Sequence, residues 1–395
     1  MKKKIIVNPF LIFFIIILFV LLTYSLSWSE LNTPLSISVL LFFVFVLISL
    51  LFFSQIYNRI FPPGTFENKR FKVNLIPWTI IGLGSMFAEF AYEKVIPIVD
   101  ILILKNGYNY VDFEGIPVFH VFAVTFTSFL GLYYWSIFLE DKKKIYLFFA
   151  VFFVSFPIML FNRGGLVMNI SSMFFIFLFY KKTLQVSMKM IVGFIGTMLI
   201  FLYAFGLFGN IRSDSENAAI DIKNSEFILN VGEATEEFKD SSIPKPFFWG
   251  YLYVSTPIAN LQNMTEKIEP SNDPLLFITQ SVLPDFISKR VESNFNLKVQ
   301  EDQRVSPVFN VSTIFAPAYK TLGFVGMILI YYYLVLFIFI YAYMMKKMNT
   351  TKIIGISILF TIVIFNLFSN MLIFSGLSFQ LIYPILFWLY KTCRG

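Results

Sequence analysis

The stretch GNIRSDSENAAIDIKNSEFILNVGEATEEFKD, residues 209–240, opens the only long part of this chain that is not continuously apolar. This polar part extends to Leu322 and contains most of the acidic residues of the chain. The sequence on either side of it consists of apolar runs separated by short polar breaks. Residues that could act on a polar substrate must therefore lie in this part or in the short breaks.

The composition assigns the chain to a structural class. Hydrophobic residues make up 57% of the chain and charged residues 14%, whereas soluble domains carry roughly 25% charged residues. The apolar runs are about 20 residues long, which is the length that a helix needs to cross a bilayer. The alternating pattern of an outer-membrane barrel is absent. The sequence therefore predicts an all-α polytopic membrane protein.

Several function classes lack support in the sequence. Cys393 is the only cysteine, so no intramolecular disulfide can form. Cysteine–histidine clusters and the glycine patterns of nucleotide-binding loops are missing, so we expect no metal and no cofactor. The net charge of +7 arises from short basic loops, and we expect no nucleic-acid partner.

The apolar runs predict about ten transmembrane helices in three regions. Residues 1–208 hold helices 1–7, residues 209–322 form one long extracytoplasmic loop, and residues 323–395 hold helices 8–10. The predicted spans are 5–26, 35–57, 73–91, 116–139, 145–161, 166–180, 188–208, 324–345 and two short spans within 353–390. Pro157 predicts a kink in the fifth span, because proline lacks the N–H that continues a helix.

The distribution of lysine and arginine predicts the orientation. Basic residues in short loops mark the cytoplasmic side of a membrane protein. With a cytoplasmic N-terminus, one face collects 18 of the 31 basic residues and only Glu67, Glu140 and Asp141 of the 24 acids. We therefore expect a multi-pass protein of the cytoplasmic (inner) membrane, with both termini cytoplasmic and the long loop outside.

Two parts of the loop are too apolar to be free in solvent. Residues 247–264, FFWGYLYVSTPIANLQNM, are rich in aromatic side chains, and residues 275–287 form a second apolar segment. Aromatic side chains favour the membrane–water interface. These two segments are predicted to be interfacial or re-entrant and to pack on the helix bundle.

Arginines at the outer ends of spans indicate a binding site for an anion. Arg163 lies in the short turn 162–165 between two apolar spans, and Arg212 follows the seventh span. A guanidinium beside hydrocarbon is costly unless it meets a partner or water, and its planar fork suits phosphate oxygens. The alternative for Arg163 is an arginine that reaches lipid headgroups. Arg290 and Arg304 could add to the site from the loop.

His120, the only histidine of the chain, lies about one turn into the fourth span. It could be a general base or a hydrogen-bond donor to a sugar, because its ordinary pKa is near neutrality, or it could be a packed core residue. Carboxylates on the same side could also activate a hydroxyl, and the sequence does not choose among Glu89, Glu93, Asp100, Asp112 and Glu114.

Short motifs around these residues resemble the Wzy-type oligosaccharide repeat-unit polymerases, which make O-antigen and capsular polysaccharide. The motifs are GIP at 115–117 before His120, NRGG at 162–165, GNIRS at 209–213, YVSTPIANL at 253–261, and NVST at 310–313 followed by Tyr319 and Gly323. The resemblance covers nearly the whole chain in layout. Lys320-Thr321-Leu322 departs from it, because an acidic residue is more usual before the glycine.

The resemblance implies the reaction and the partners. The growing glycan on undecaprenyl diphosphate would be transferred to a hydroxyl of a new lipid-linked repeat unit, with release of lipid diphosphate. His120, Arg163 and Arg212 are the expected catalytic residues, and both arginines are also expected to bind the diphosphate. Substrate contacts are also expected from Arg290, Tyr253, Asn260, Asn310 and Thr313. Membrane lipid, a flippase and a chain-length regulator are the further partners implied.

Other functions remain open at this point. A flippase for lipid-linked oligosaccharides or another transporter would share the helix bundle. An O-antigen ligase would share the donor and the long loop and differ only in its acceptor. A glycosyltransferase that uses a monosaccharyl phosphate-lipid is less well matched, because the first outer loop offers only Glu30.

Overall fold

A computed structural model gives the fold and describes residues 7–66, 74–104, 108, 112–181, 188–213, 226–348 and 351–392. This part of the chain is helical and has no β-strand, apart from one isolated antiparallel bridge between Ser29 and Ala234. The prediction of an all-α fold is confirmed.

Twelve helices are numbered here in chain order. They are α1 Pro9–Tyr24, α2 Ile37–Ile60, α3 Ile76–Glu93, α4 Phe119–Asp141, α5 Lys144–Val154, α6 Arg163–Tyr180, α7 Met188–Ser213, α8 Phe247–Lys267, α9 Asp285–Asn294, α10 Phe315–Lys347, α11 Lys352–Phe365 and α12 Ile382–Thr392. Shorter helical segments lie between them and are named by their residues.

Four of the described helices, α2, α4, α6 and α10, are long and apolar enough to cross a membrane. Five more apolar stretches of 10–17 residues accompany them, namely Pro9–Tyr24, Lys144–Met159, Ile195–Asn210, Lys352–Phe365 and Ser375–Tyr390. Together they give the chain the character of a membrane protein. The predicted total of ten spans stays a prediction.

Several helix boundaries follow the local sequence, and one departs from it. The fifth apolar run breaks at Ser155, after which Phe156–Met159 forms a separate helical turn around Pro157. Gly323 has a φ of +61° and kinks α10 where the polar part of the chain ends. Helix α7 continues five residues beyond the predicted end at residue 208, so that residue 212 lies within it. A turn around Asn370 separates α11 from the last helical segments.

Hydrogen bonds between segments define the two ends of the bundle. At one end, Lys346 Nζ donates to the carbonyl of Ile60 (3.1 Å) and Lys352 Nζ to that of Thr65 (3.2 Å). The other end carries residues 25–36, 155–162 and 226–314 and is called the loop end below. Main-chain bonds join its parts, as from Glu30 N to the carbonyl of Glu233 (2.8 Å).

Helix α8 packs on the loop end. Its Tyr251 hydroxyl accepts hydrogen bonds from Trp28 N (3.0 Å) and Asn32 Nδ2 (2.5 Å), and its Gln262 Oε1 accepts from Ser36 N (3.0 Å). The apolar segment 247–264 is thus a helix that packs against the turn between α1 and α2, and its predicted place at the membrane interface stays a prediction. It is not among the helices long and apolar enough to cross a membrane.

Helices α4 and α6 run parallel to each other, with α4 the more deeply buried of the two. Asn169 Nδ2 donates to Ser128 Oγ (3.0 Å), and further towards their C-termini Trp135 Nε1 donates to the carbonyl of Met173 (2.9 Å). Buried α11 packs beside α6, where Ser172 and Thr361 share a hydrogen bond of 2.8 Å. These polar links fix the register of the helices and hence the relative height of the residues at the loop end.

Candidate functional site

His120 lies in the first turn of α4 at the loop end and contacts one carboxylate directly. Its Nδ1 lies 2.7 Å from Oε2 of Glu89, at the end of α3. The Glu89 side chain is completely buried, whereas 30% of the His120 side chain is exposed. The structure therefore selects Glu89 from the five carboxylates that the sequence left open.

Glu89 reaches this position because of the helical spacing of α3. Thr79, Gly82, Met86 and Glu89 are buried on one side of that helix, and residues three or four apart share a helix face. A carboxylate on an otherwise packed stripe must find a partner, since a buried unpaired charge is strongly unfavourable. This continuation of the stripe is the signal in the sequence that distinguishes Glu89 from its neighbours.

A tight turn before α4 brings His120 against Glu89. Gly115 has a φ of +69°, in the left-handed region that favours glycine. Its N–H donates to Glu93 Oε1 (2.6 Å), and Ile116 N donates to Glu89 Oε1 (3.4 Å). A Cβ at residue 115 would overlap both Glu89 Oε2 and His120 Nδ1. The GIP motif before His120 is thus the turn that allows the two side chains to meet.

Arg163 is exposed at the first position of α6, also at the loop end. Asn162 Oδ1 caps the helix by accepting from Gly165 N (2.9 Å), and the N–H groups of Arg163 and Gly164 have no acceptor among the described residues. The guanidinium lies 5.8 Å from the Phe161 ring centroid and pairs with no carboxylate in the described part of the chain. A cation at a helix N-terminus is repelled by the helix dipole, so this arrangement is suited to an anion.

The register of α4 and α6 places His120 and Arg163 at nearly the same height. The two residues lie eight and six positions before Ser128 and Asn169, which are joined by the 3.0 Å hydrogen bond. At 1.5 Å per residue, they stand about 12 and 9 Å above that link. The segment Ser375–Ser378 packs against both helices. A basic histidine and a free arginine therefore share one end of two neighbouring parallel helices.

The position of Arg212 is only partly defined. Its backbone belongs to the last turn of α7, and its side chain lies outside the described residues. Two positions earlier, Asn210 Oδ1 accepts a hydrogen bond from Trp249 Nε1 on α8 (2.6 Å). The end of α7 is thereby joined to α8 at the loop end. The predicted role of Arg212 in diphosphate binding stays a prediction.

Asn260 has a different environment from the one expected of a residue that contacts sugar. It is buried, and its Nδ2 donates to the carbonyls of Phe309 (2.9 Å) and Val311 (2.7 Å). Its Oδ1 accepts from Val305 N (2.8 Å). Because the whole amide is used to hold residues 305–311, the structure favours a role as a connector and not the predicted substrate contact.

The other predicted substrate contacts are spread over the loop end. Tyr253 is 45% exposed on α8 and packs against the Phe205 ring, with centroids 5.1 Å apart. Asn310 is exposed, and so is Arg290 on α9, which pairs with no carboxylate of the described residues. Thr313 is buried, and its Oγ1 accepts from Phe315 N (3.2 Å) at the start of α10. The Thr313 hydroxyl therefore binds the main chain just before α10, and the structure does not favour the predicted contact with substrate.

Lys320 is buried and forms a charge cluster with two exposed residues of the loop. Its Nζ lies 2.5 Å from Asp302 Oδ1 and 3.1 Å from the carbonyl of Gln300, and Arg304 Nη2 lies 3.3 Å from Asp302 Oδ2. Partial burial opposes ionisation of Asp302, but the hydrogen bond and charge of Lys320, with help from Arg304, hold the pKa of Asp302 below its usual value. The lysine that departs from the polymerase pattern thus fastens the loop to α10, and Arg304 belongs to this cluster.

No group of three or more histidine, cysteine, aspartate or glutamate side chains that could hold a metal lies within the described ranges. No protein-family model, no curated protein and no solved structure matches the chain. The resemblance to repeat-unit polymerases accordingly rests on the short sequence motifs alone.

Proposed function

We propose that this chain is a glycosyltransferase that polymerises lipid-linked oligosaccharide repeat units into O-antigen or capsular polysaccharide. In this proposal, ten helices span the cytoplasmic membrane, both termini are cytoplasmic, and the loop end faces outward. One observation supports it above the others: His120, which contacts a buried carboxylate, and the unpaired Arg163 stand at the same end of two parallel neighbouring helices. A base and a cation are the two groups that this transfer requires.

The chemistry follows from these two groups. A hydroxyl oxygen of the new repeat unit attacks the anomeric carbon of the growing glycan while its proton passes to His120. The bond between that carbon and the diphosphate oxygen breaks, and undecaprenyl diphosphate leaves with the negative charge. General-base assistance contributes about 10²–10⁴-fold to such a reaction. The donor is already activated, so the step consumes no nucleotide.

Arg163 is suited to the leaving diphosphate by its place on α6. The free N–H groups of the first helical turn and the helix dipole favour an anion there, and the guanidinium adds planar donors that match phosphate oxygens. The open space around Gly164 lets a ligand approach the backbone, because a Cβ there would meet only Asn162 Oδ1 at 3.6 Å. Arg212 is proposed as the second diphosphate ligand, and Arg290, Tyr253 and Asn310 as contacts to the glycan.

Glycan length in cells tests the proposal. Deleting the gene should abolish long chains while single repeat units still reach their final acceptor. Loss of all surface glycan, with repeat units trapped inside, would instead indicate a flippase. Long chains that stay on the lipid carrier and never reach the acceptor would indicate a ligase.

Removal of the Arg163 charge at the N-terminal end of α6 tests the role proposed for this residue. In the deletion strain, the Arg163→Gln variant should lower the amount of polymer by about 100-fold, the size of effect seen when one oriented donor is removed from a transition state. Lys181→Gln is the matched control, because Lys181 is exposed at the opposite end of the same helix. Equal polymer from both variants at equal expression would refute the role of Arg163.

A further inference from the structure

The contact between Glu89 and His120 shows which imidazole nitrogen is free. Nδ1 points to Glu89 Oε2 at 2.7 Å, and Nε2 has no hydrogen-bond partner in the described part of the chain. Gly115 lies over the same edge as Nδ1, since a Cβ added there would overlap both Nδ1 and Cγ. The exposed 30% of the side chain therefore belongs to the opposite edge, which contains Nε2.

We infer that Glu89 is a positioning residue that holds a proton on Nδ1 of His120 and so presents Nε2 as the base. This inference rests on the proposed function only for the identity of the hydroxyl that gives up its proton. In the proton transfer, the lone pair of Nε2 takes the proton of that hydroxyl. The resulting imidazolium, protonated on both nitrogens, is stabilised by the Glu89 carboxylate.

The burial of Glu89 supports this assignment. Its carboxylate is 0% exposed and has no lysine or arginine partner among the described residues. In the described part of the chain, its donors are the Ile116 N–H, at a long 3.4 Å, and the imidazole. A buried carboxylate without donors is costly, so the short contact to His120 is its principal stabilisation. In a neutral imidazole, the partner of one nitrogen decides which tautomer is present.

Glu93 provides a matched control one helical turn further along α3. Like Glu89, it accepts a backbone N–H from the turn before α4, in this case from Gly115 at 2.6 Å. The structure shows no contact between Glu93 and the imidazole. A substitution of either glutamate removes an anchor of this turn, but only Glu89→Gln changes the partner of Nδ1.

Nitrogen NMR can read the tautomer directly, because His120 is the only histidine of the chain. The full-length protein would be labelled with ¹⁵N-histidine, purified with a tag that contains no histidine, and studied in detergent at a pH where the imidazole is neutral. The wild type and Glu93→Gln should show the Nδ1–H form. Glu89→Gln should show a mixture of both forms, because an amide can donate to Nδ1 as well as accept from it.

Two results would overturn the inference. One is an Nε2–H form in the wild type, which is decisive even if the variants fail to fold. The other is an unchanged tautomer in Glu89→Gln. Polymer formation by the same proteins separates this inference from the proposed function: Glu89→Gln should lose about 100-fold in rate, and Glu93→Gln much less. If the wild type forms no polymer but shows the Nδ1–H form, the function fails and the positioning role stands.

Discussion

Gly115 is the residue on which the geometry of His120 depends most. It combines a left-handed φ of +69° with direct cover of the contact between Glu89 and the imidazole. Side chains other than glycine are rarely tolerated in that conformation, and any Cβ would push the two groups apart. A residue without a side chain therefore determines where the Glu89 and His120 side chains meet.

We expect the Gly115→Ala variant to fold but to lose most of its activity. The new methyl group should displace His120 from Glu89, with a fall in polymer formation of about tenfold or more, since misplacement of about 1 Å can cost 10²-fold. Gly84→Ala is the control, because a Cβ at that position of α3 meets nothing within 4 Å. Polymer yield would be measured at equal protein levels. Yields equal to that of the wild type for both variants would contradict the expectation.

The sequence alone identifies some residues of the candidate site but does not show how others are paired. His120 and Arg163 are recognisable because each is an isolated polar residue beside apolar runs. The partnership of Glu89 with His120 joins residues 31 positions apart and depends on the packing of α3 against α4. Asn260 is the opposite case. A motif identifies the residue, but the sequence cannot show that its side-chain amide already makes hydrogen bonds to the loop.

At the scale of elements, the loop end is held together largely by polar side chains. Residues 298–311, called the strap here, are fastened by Asn260 on α8 and by Lys320 on α10. Asn263 Nδ2 adds a bond to the carbonyl of Gln303 (2.9 Å). Segments with few buried apolar contacts open more readily than the core, so these hydrogen bonds decide whether the strap stays closed.

The charge cluster at Lys320 predicts a pH dependence of the strap. The pKa of Asp302 is lower in the folded protein than its usual value, so its contribution to stability is complete above about pH 3.9, the ordinary aspartate pKa. This contribution is lost as the pH falls through the lower folded pKa. Hydrogen exchange of residues 300–305 should therefore accelerate in that acidic range.

The Asp302→Asn variant separates this effect from general acid unfolding. It should show faster exchange in the strap at neutral pH and no further acceleration through the acidic range, while exchange in α11 stays slow. Asp285→Asn is a control, because Asp285 contacts Ser375 outside the strap. The same acid response in wild type and Asp302→Asn would show that Lys320 and Asp302 do not hold the strap.

Hydropathy is sufficient to predict some of the helices and their ends, but not all of them. Apolar runs and Pro157 predict most helices and the break after α5, because local sequence controls both. The extension of α7 to Ser213 and the helix α8 across the loop end could not be derived in this way. Both depend on tertiary contacts, such as the bond from Trp249 to Asn210.

At the scale of the whole molecule, the distribution of charge and the packing of the helices distinguish the same two ends of the bundle. Lys346 and Lys352 contact main-chain carbonyls at the end opposite to the loop end, and the acidic polar part of the chain covers the other end. If the basic end is cytoplasmic, as the distribution of charge predicts, the site of His120 and Arg163 faces away from cytosolic nucleotides. A polymerase in that place must use a donor that is already activated.

Incubation of the purified wild-type protein with its native undecaprenyl-diphosphate-linked repeat units, without nucleotide, tests the central claim most directly. Electrophoresis of the products should show a ladder with a spacing of one repeat unit and release of undecaprenyl diphosphate. The ladder should be greatly reduced with Arg163→Gln and retained with Lys181→Gln. A verified native substrate that stays entirely as single units with the wild type would contradict the proposed polymerase activity.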